Sequence, residues 1–172
     1  MMKAKLLIVV GFFSLLAGCV TKPANVQPVD DFQANKYLGK WYEIARFDNS
    51  FEKEMTNVYA EYSLNSDGTI KVLNSGVNPK SGKRSYAEGI AKFVDGENTA
   101  YLKVSFFRPF YGAYVVFNLD TDYKYAYVAG ANKDYLWLLS RTPKIPENIK
   151  KDFIAKSKAL GFDTDKLVWV KQ

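Results

Sequence analysis

Glu61-Tyr62-Ser63-Leu64-Asn65-Ser66-Asp67-Gly68-Thr69-Ile70-Lys71-Val72-Leu73 is the stretch from which the rest can be read. Two short runs flank Asn-Ser-Asp-Gly, a turn whose glycine can take the left-handed conformation, so the stretch is a β-hairpin. The pattern repeats outward. Asp95-Gly96-Glu97-Asn98 separates a strand ending near Phe93 from one starting near Ala100, and Leu102-Lys103-Val104-Ser105-Phe106 alternates in hydropathy. Further strands are expected at Trp41–Phe47, Tyr111–Leu119, Tyr125–Gly130 and Tyr135–Ser140. Eight strands at regular spacing, with no long helix among them, predict an all-β fold: an eight-stranded up-and-down antiparallel β-barrel. One helix follows over Glu147–Leu160, with Ile149, Phe153 and Leu160 on a single stripe. Pro146 fits its first position and Gly161 its stop, and the helix should pack outside the barrel. Leu167-Val168-Trp169-Val170 reads as a last short strand.

Loop lengths carry a second signal. Alternate loops of a meander lie at the same end. Residues 65–68, 95–98 and 120–123 are tight turns, whereas 48–57, 75–83, 107–111 and 131–134 are mostly longer and carry Phe51, Phe107, Phe110 and Tyr111. One end should therefore be closed and the other open, and an eight-stranded cup can hold one small ligand.

Composition narrows the function. The chain has 172 residues, no histidine and one cysteine. Imidazole catalysis, histidine-ligated haem, most zinc sites and intramolecular disulfides are excluded, whereas a tyrosine-ligated porphyrin is not; no metal or cofactor is expected. A total of 12 Tyr, 12 Phe and 3 Trp calls for somewhere to place large rings. The net charge of +6 falls by two once Lys3 and Lys5 are removed, and no basic cluster is dense enough to track nucleic acid.

Lys3 and Lys5 precede an apolar run from Leu6 to Ala17, too short to span a membrane but suited to a signal peptide. It ends in Leu16-Ala17-Gly18-Cys19, which resembles the lipobox of bacterial lipoproteins. Residues 1–18 are then a signal peptide to be removed. Residues 19–35 are a lipidated terminus and tether beginning at acylated Cys19, and residues 36–172 form the barrel domain. Val20, in place of the aspartate that retains enteric lipoproteins in the inner membrane, implies the outer membrane, with the protein facing the periplasm. Lipoprotein processing and sorting machinery would be its partners in transit. Oligomeric state is not legible.

Gly39-Lys40-Trp41-Tyr42-Glu43 resembles the Gly-x-Trp signature of lipocalins. Thr121-Asp122-Tyr123 resembles their turn between strands six and seven, and Arg141 their lone arginine after strand eight. Longer matches, including Lys103 through Gly112 and Asp134 through Pro143, are similar to the outer-membrane lipoproteins of that family. The resemblance covers residues 30–172. It implies binding of fatty acids and lysophospholipids, and a guanidinium of Arg141 stacked on Trp41 that plugs the closed end. Gly39, Trp41, Thr121, Asp122, Tyr123 and Arg141 would be structural. Arg108 stands at the rim where a glycine could stand, and Ala129 replaces a cysteine found in some relatives.

Parity then assigns the cavity. With Trp41 inward, Glu43, Ala45 and Phe47 share its face. The expected lining is Val58, Ala60, Val72, Asn74, Leu102, Val104 and Phe106, with Tyr135 and Trp137 from strand eight. Strand six is ambiguous, and the resemblance favours Tyr114, Val116 and Asn118 inward. Arg108 at the rim would meet a phosphate or carboxylate. Glu43, an inward carboxylate near the closed end, should bond a neighbour such as Tyr62 or Asn118. The expected function is a lipid-binding protein of the outer membrane that stores or transports its ligand. The alternatives are a structural or interaction lipoprotein with a filled barrel, or a lipid-modifying enzyme using Glu43.

Overall fold

A strand that alternates in hydropathy must hide one face, and closing the sheet on itself also removes its free edges. The computed structural model describes residues 20–172. It contains β1 (Gly39–Phe47), β2 (Thr56–Leu64), β3 (Ile70–Val77), β4 (Arg84–Phe93), β5 (Tyr101–Phe107), β6 (Phe110–Leu119), β7 (Tyr125–Ala129) and β8 (Leu136–Ser140). Each strand pairs antiparallel with the next, and β1 pairs with both β2 and β8, so the eight-stranded barrel closes. Helices α1 (Ala34–Tyr37) and α2 (Glu147–Ala159) flank it, and β9 (Leu167–Trp169) adds to β1. Residues 20–172 close the barrel and build both hydrophobic cores among themselves. Cys19 and the signal segment lie outside the described residues.

Two cores share the barrel wall. The inner one joins Trp41, Tyr62, Ile70, Val72, Leu102, Val116, Val128 and Leu139. The outer one joins Ile44, Phe47, Tyr101, Val115, Leu136 and Leu138 to Phe153 of α2 and to Phe162. Tyr127 meets Phe153 edge-on at 5.0 Å. The helical stripe is as expected, although Pro146 serves as the N-cap rather than the first helical residue. Gly161 takes φ +80°, the left-handed stop.

Two β-bulges change the parity. In β1 the register against β8 shifts between Glu43 and Ala45. Beyond it, Ala45 and Phe47 join the outer core, and Arg46 turns to Glu43 instead. In β6 the register against β7 shifts between Val116 and Asn118. Asn118 accordingly accepts a bond from Lys156 of α2 at 2.9 Å, outside the barrel, and Leu119 takes the inner face. The extra residue of a bulge reverses every side chain after it, so strict alternation fails there. Leu64 has the same parity as Ala60 and Tyr62 but, as the last residue of β2 opposite Ile70, it is exposed. The loop expected at 107–111 is a two-residue turn, Arg108-Pro109.

The segment expected to be a tether is docked along much of its length. Val26 and Phe32 are buried. The Val29 amide donates to the Val116 carbonyl, its own carbonyl accepts from Ala100, and the Phe32 amide donates to Asn98. Phe32 packs against Tyr37, Phe93 and Tyr123 under the barrel.

Beyond Tyr42, β1 parts from β2, and the C-terminal segment fills the gap. The Val170 amide donates to the Ile44 carbonyl at 2.9 Å, and the Asn57 amide to the Lys171 carbonyl at 2.7 Å. The Gln172 side-chain amide spans the seam, donating to the carbonyls of Glu43 (2.6 Å) and Val58 (2.9 Å).

The turn between β6 and β7 depends on Asp120. Its carboxylate accepts from the amides of Asp122, Lys124 and Tyr125. Asp122 pairs with exposed Lys124. Asp120→Ala is therefore expected to cost about 1.5 kcal/mol in chemical denaturation, and Asp122→Ala less than about 0.5 kcal/mol.

Candidate functional site

The closed end is built around Arg141. Its guanidinium lies 3.9 Å from the ring centroid of fully buried Trp41. Nη1 donates to the Lys40 carbonyl (2.8 Å), Nη2 to Lys36 (2.7 Å) and Nε to Tyr123 (3.2 Å). One side chain thus ties α1, the start of β1 and the β6–β7 turn together. Trp41 Nε1 donates to the Tyr37 carbonyl at 2.7 Å. Gly39 at φ +88° brings the chain past Arg141, and an added Cβ would lie 3.5 Å from its Nη1. Tyr123 also has a positive φ, and its hydroxyl accepts from the Gln33 amide. Thr121 and Asp122 are exposed on the same turn.

Above this plug lies a cavity of about 630 Å³, well within the range of small-molecule sites. An open interior of this size speaks for the cup and against the alternative of a barrel filled by its own side chains. Val58, Ala60, Val72, Asn74, Leu102, Val104, Phe106, Tyr114, Tyr135 and Trp137 all line it. Two expected positions do not. Val116 faces inward but is fully buried at the closed end, where the Val29 and Phe32 segment covers it. Arg108 is exposed at the tip of the β5–β6 turn, beyond the wall. Beside it, Phe107 and Phe110 stack at 6.5 Å with 77% and 71% of their surface in solvent.

Small residues leave the room. Ala60, Ala87, Ala91, Gly76 and Gly130 line the wall. A Cβ at Gly130 would come within 2.4 Å of the Tyr135 Cβ, so glycine there lets Tyr135 seat against the wall, stacked on Trp137 at 6.1 Å.

Sequence reasoning missed a buried charge cluster in the cavity wall. Arg46 is fully buried and donates from Nη1 to Glu43 at 2.8 Å and from Nη2 to the Glu52 carbonyl at 2.7 Å. Glu52 accepts from Trp137 Nε1 at 3.0 Å and from Asn49 at 3.2 Å. The loop after β1 is thereby latched against the mouth. Burial pushes both carboxyls above the usual range. For Glu43, Glu52 adds to the rise and Arg46 opposes it. For Glu52, the bonds from Trp137 and Asn49 oppose it. Glu43 has its partner, but that partner is Arg46 rather than Tyr62 or Asn118. A charged residue between Ala45 and Phe47 was the available signal.

Lower in the cavity three phenols meet. Tyr114 Oη lies 2.7 Å from Tyr37 Oη and 3.0 Å from Tyr62 Oη. Burial raises all three, Tyr62 to about 12, so they remain neutral hydrogen-bonding groups. Among the described residues no cluster of three His, Cys, Asp or Glu side chains is arranged to hold a metal ion.

Residues 32–172 match the family model of the lipocalin-like domain. The chain is a lipocalin. It is 55% identical to the Outer membrane lipoprotein Blc of Vibrio cholerae over 92% of this chain and 93% of that one. It is 47% identical to the Outer membrane lipoprotein Blc of Escherichia coli K12, over 94% and 91%. Among solved structures, insecticyanin from the tobacco hornworm Manduca sexta superposes with a TM-score of 0.69 at 20% identity, covering 89% of this chain and 87% of that one. That likeness concerns the fold alone. The near-full-length match to the two bacterial proteins places this lipocalin in the outer membrane as a lipid-anchored protein. The Trp41–Arg141 stack, the closed barrel and the outer helix are the parts of the lipocalin frame that the sequence signatures marked.

Proposed function

We propose that the protein binds a fatty acid or lysophospholipid in its cup and stores or transports it at the outer membrane, facing the periplasm. The observation that carries this reading is the cavity itself, open at the rim and lined by Val58, Val72, Leu102, Val104, Phe106 and Trp137. An acyl chain gains about 0.8 kcal/mol per buried methylene, so ten carbons contribute about 8 kcal/mol before the costs of binding. Acylated Cys19 would hold the cup at the bilayer, and several acyl chains bind far more firmly than one. Arg108 at the rim would pair with a phosphate or carboxylate headgroup. A binding role rather than catalysis fits the Glu43 carboxyl, which is occupied by Arg46.

The test is calorimetric titration of residues 20–172 with a lysophospholipid and a long-chain fatty acid. Saturable binding near micromolar is expected. Trp137→Ala should weaken it at least tenfold while circular dichroism stays native, because the ring forms cavity wall rather than core. Equal affinity in a folded variant would remove Trp137 from the site. No binding by the folded wild type would overturn the reading.

A further inference from the structure

We infer that the cup is selective for an acyl chain bearing a hydroxyl group along its length, received between Asn74 and the tyrosine cluster. The inference rests on the proposed lipid-binding reading and specifies the chain rather than the headgroup. Tyr37, Tyr62 and Tyr114 have three hydroxyl hydrogens, and the two bonds within the cluster use two of them. The third has no acceptor among the described residues, and all three rings line the cavity. Asn74 presents the complement. Its Oδ1 is buried, lines the same cavity, and meets no donor among the described residues.

The register brings these groups together. Tyr62 stands opposite Val72, and Ala60 opposite Asn74. Tyr62 and Asn74 are thus diagonal neighbours on paired strands, about 7–8 Å apart and within reach of a ring as long as tyrosine. Around them the wall is apolar: Ile70, Val72, Ala91 and Leu102. A plain hydrocarbon chain passing this level takes both polar groups out of water and pairs neither, which weakens its binding. A hydroxyl accepts from the phenol and donates to Asn74 Oδ1, so one group on the ligand satisfies both. Sites built to bond a hydroxyl discriminate strongly against the analogue that lacks it.

The test compares octadecanoic acid with a positional series of hydroxyoctadecanoic acids, titrated calorimetrically into residues 20–172. At least one isomer is expected to bind about tenfold more tightly than the plain chain. Asn74→Leu should remove that preference, the hydroxylated and plain chains then binding with similar affinity. Tyr62→Phe should also reduce it. If the plain acid binds and no isomer is preferred, the inference is overturned and the lipid-binding reading stands. A preference that survives both substitutions overturns the assignment to these groups. If no acid binds, the lipid-binding reading falls and this inference with it.

Discussion

Arg46→Met is expected to cost about 3–5 kcal/mol of stability, because it leaves two buried carboxyl groups without their cation. Methionine fills much of the space but donates nothing. Glu43 loses its 2.8 Å partner, and the carbonyl of Glu52 loses its donor. The loss should depend on pH, with a definite sign. In the native protein burial already holds the Glu43 carboxyl above its ordinary value, against the pull of Arg46. Without the guanidinium it rises further. A carboxyl whose folded value is raised binds more protons folded than unfolded, so the folded state loses stability as pH rises above the ordinary carboxyl range. The difference between variant and wild type should therefore be smaller at pH 5 than at pH 8. Urea unfolding of both proteins at the two values checks it, and a deficit independent of pH would mean that neither carboxyl changes protonation.

Trp41→Ala is expected to cost about 3–5 kcal/mol, the range for deleting a large buried aromatic. The ring is fully buried in the inner core, and its removal leaves a cavity that the backbone cannot collapse to fill. It also strips Arg141 of its stacking surface and the Tyr37 carbonyl of its indole N–H donor. Thermal and urea unfolding should both show the loss. Binding should persist at low temperature, because the cavity lies above the plug and Trp41 does not line it. The contrast with Trp137→Ala separates the two tryptophans: one packs in the plug of the closed end, the other forms cavity wall and is the one proposed to meet the ligand.

Much of this architecture was legible because it rests on patterns that repeat. Alternation along β5, the turn at Asn65–Gly68 and the Trp41 and Arg141 signatures each specify a local geometry, and together they require the barrel. Where the reading failed, the cause was an interruption of the period. At Ile44 and Phe117 an inserted residue reverses the faces; the charge of Arg46 between Ala45 and Phe47 is the local sign of the first, and the residues around Phe117 carry none. Strict alternation sets Arg46 on the face opposite Glu43, so parity hides the wall cluster of Arg46, Glu43 and Glu52. Residues 20–35 read as a tether because prolines break any helical or strand pattern. Yet Val26, Val29 and Phe32 are spaced three apart, and each packs or pairs with the barrel. The role of Gln172 carries no signal at all, since its value lies in where the chain arrives.

The seam between β1 and the strands that complete it has a consequence for biogenesis. The first strand of the ring waits for the last two, β8 and β9, before either edge beyond Tyr42 is satisfied. Closing so large a loop is entropically costly, and proteins dominated by such pairings fold slowly. A ribosome-bound or translocating chain therefore carries an unsealed sheet until nearly all of it has emerged. The interval before closure is the period in which edge-to-edge aggregation threatens most.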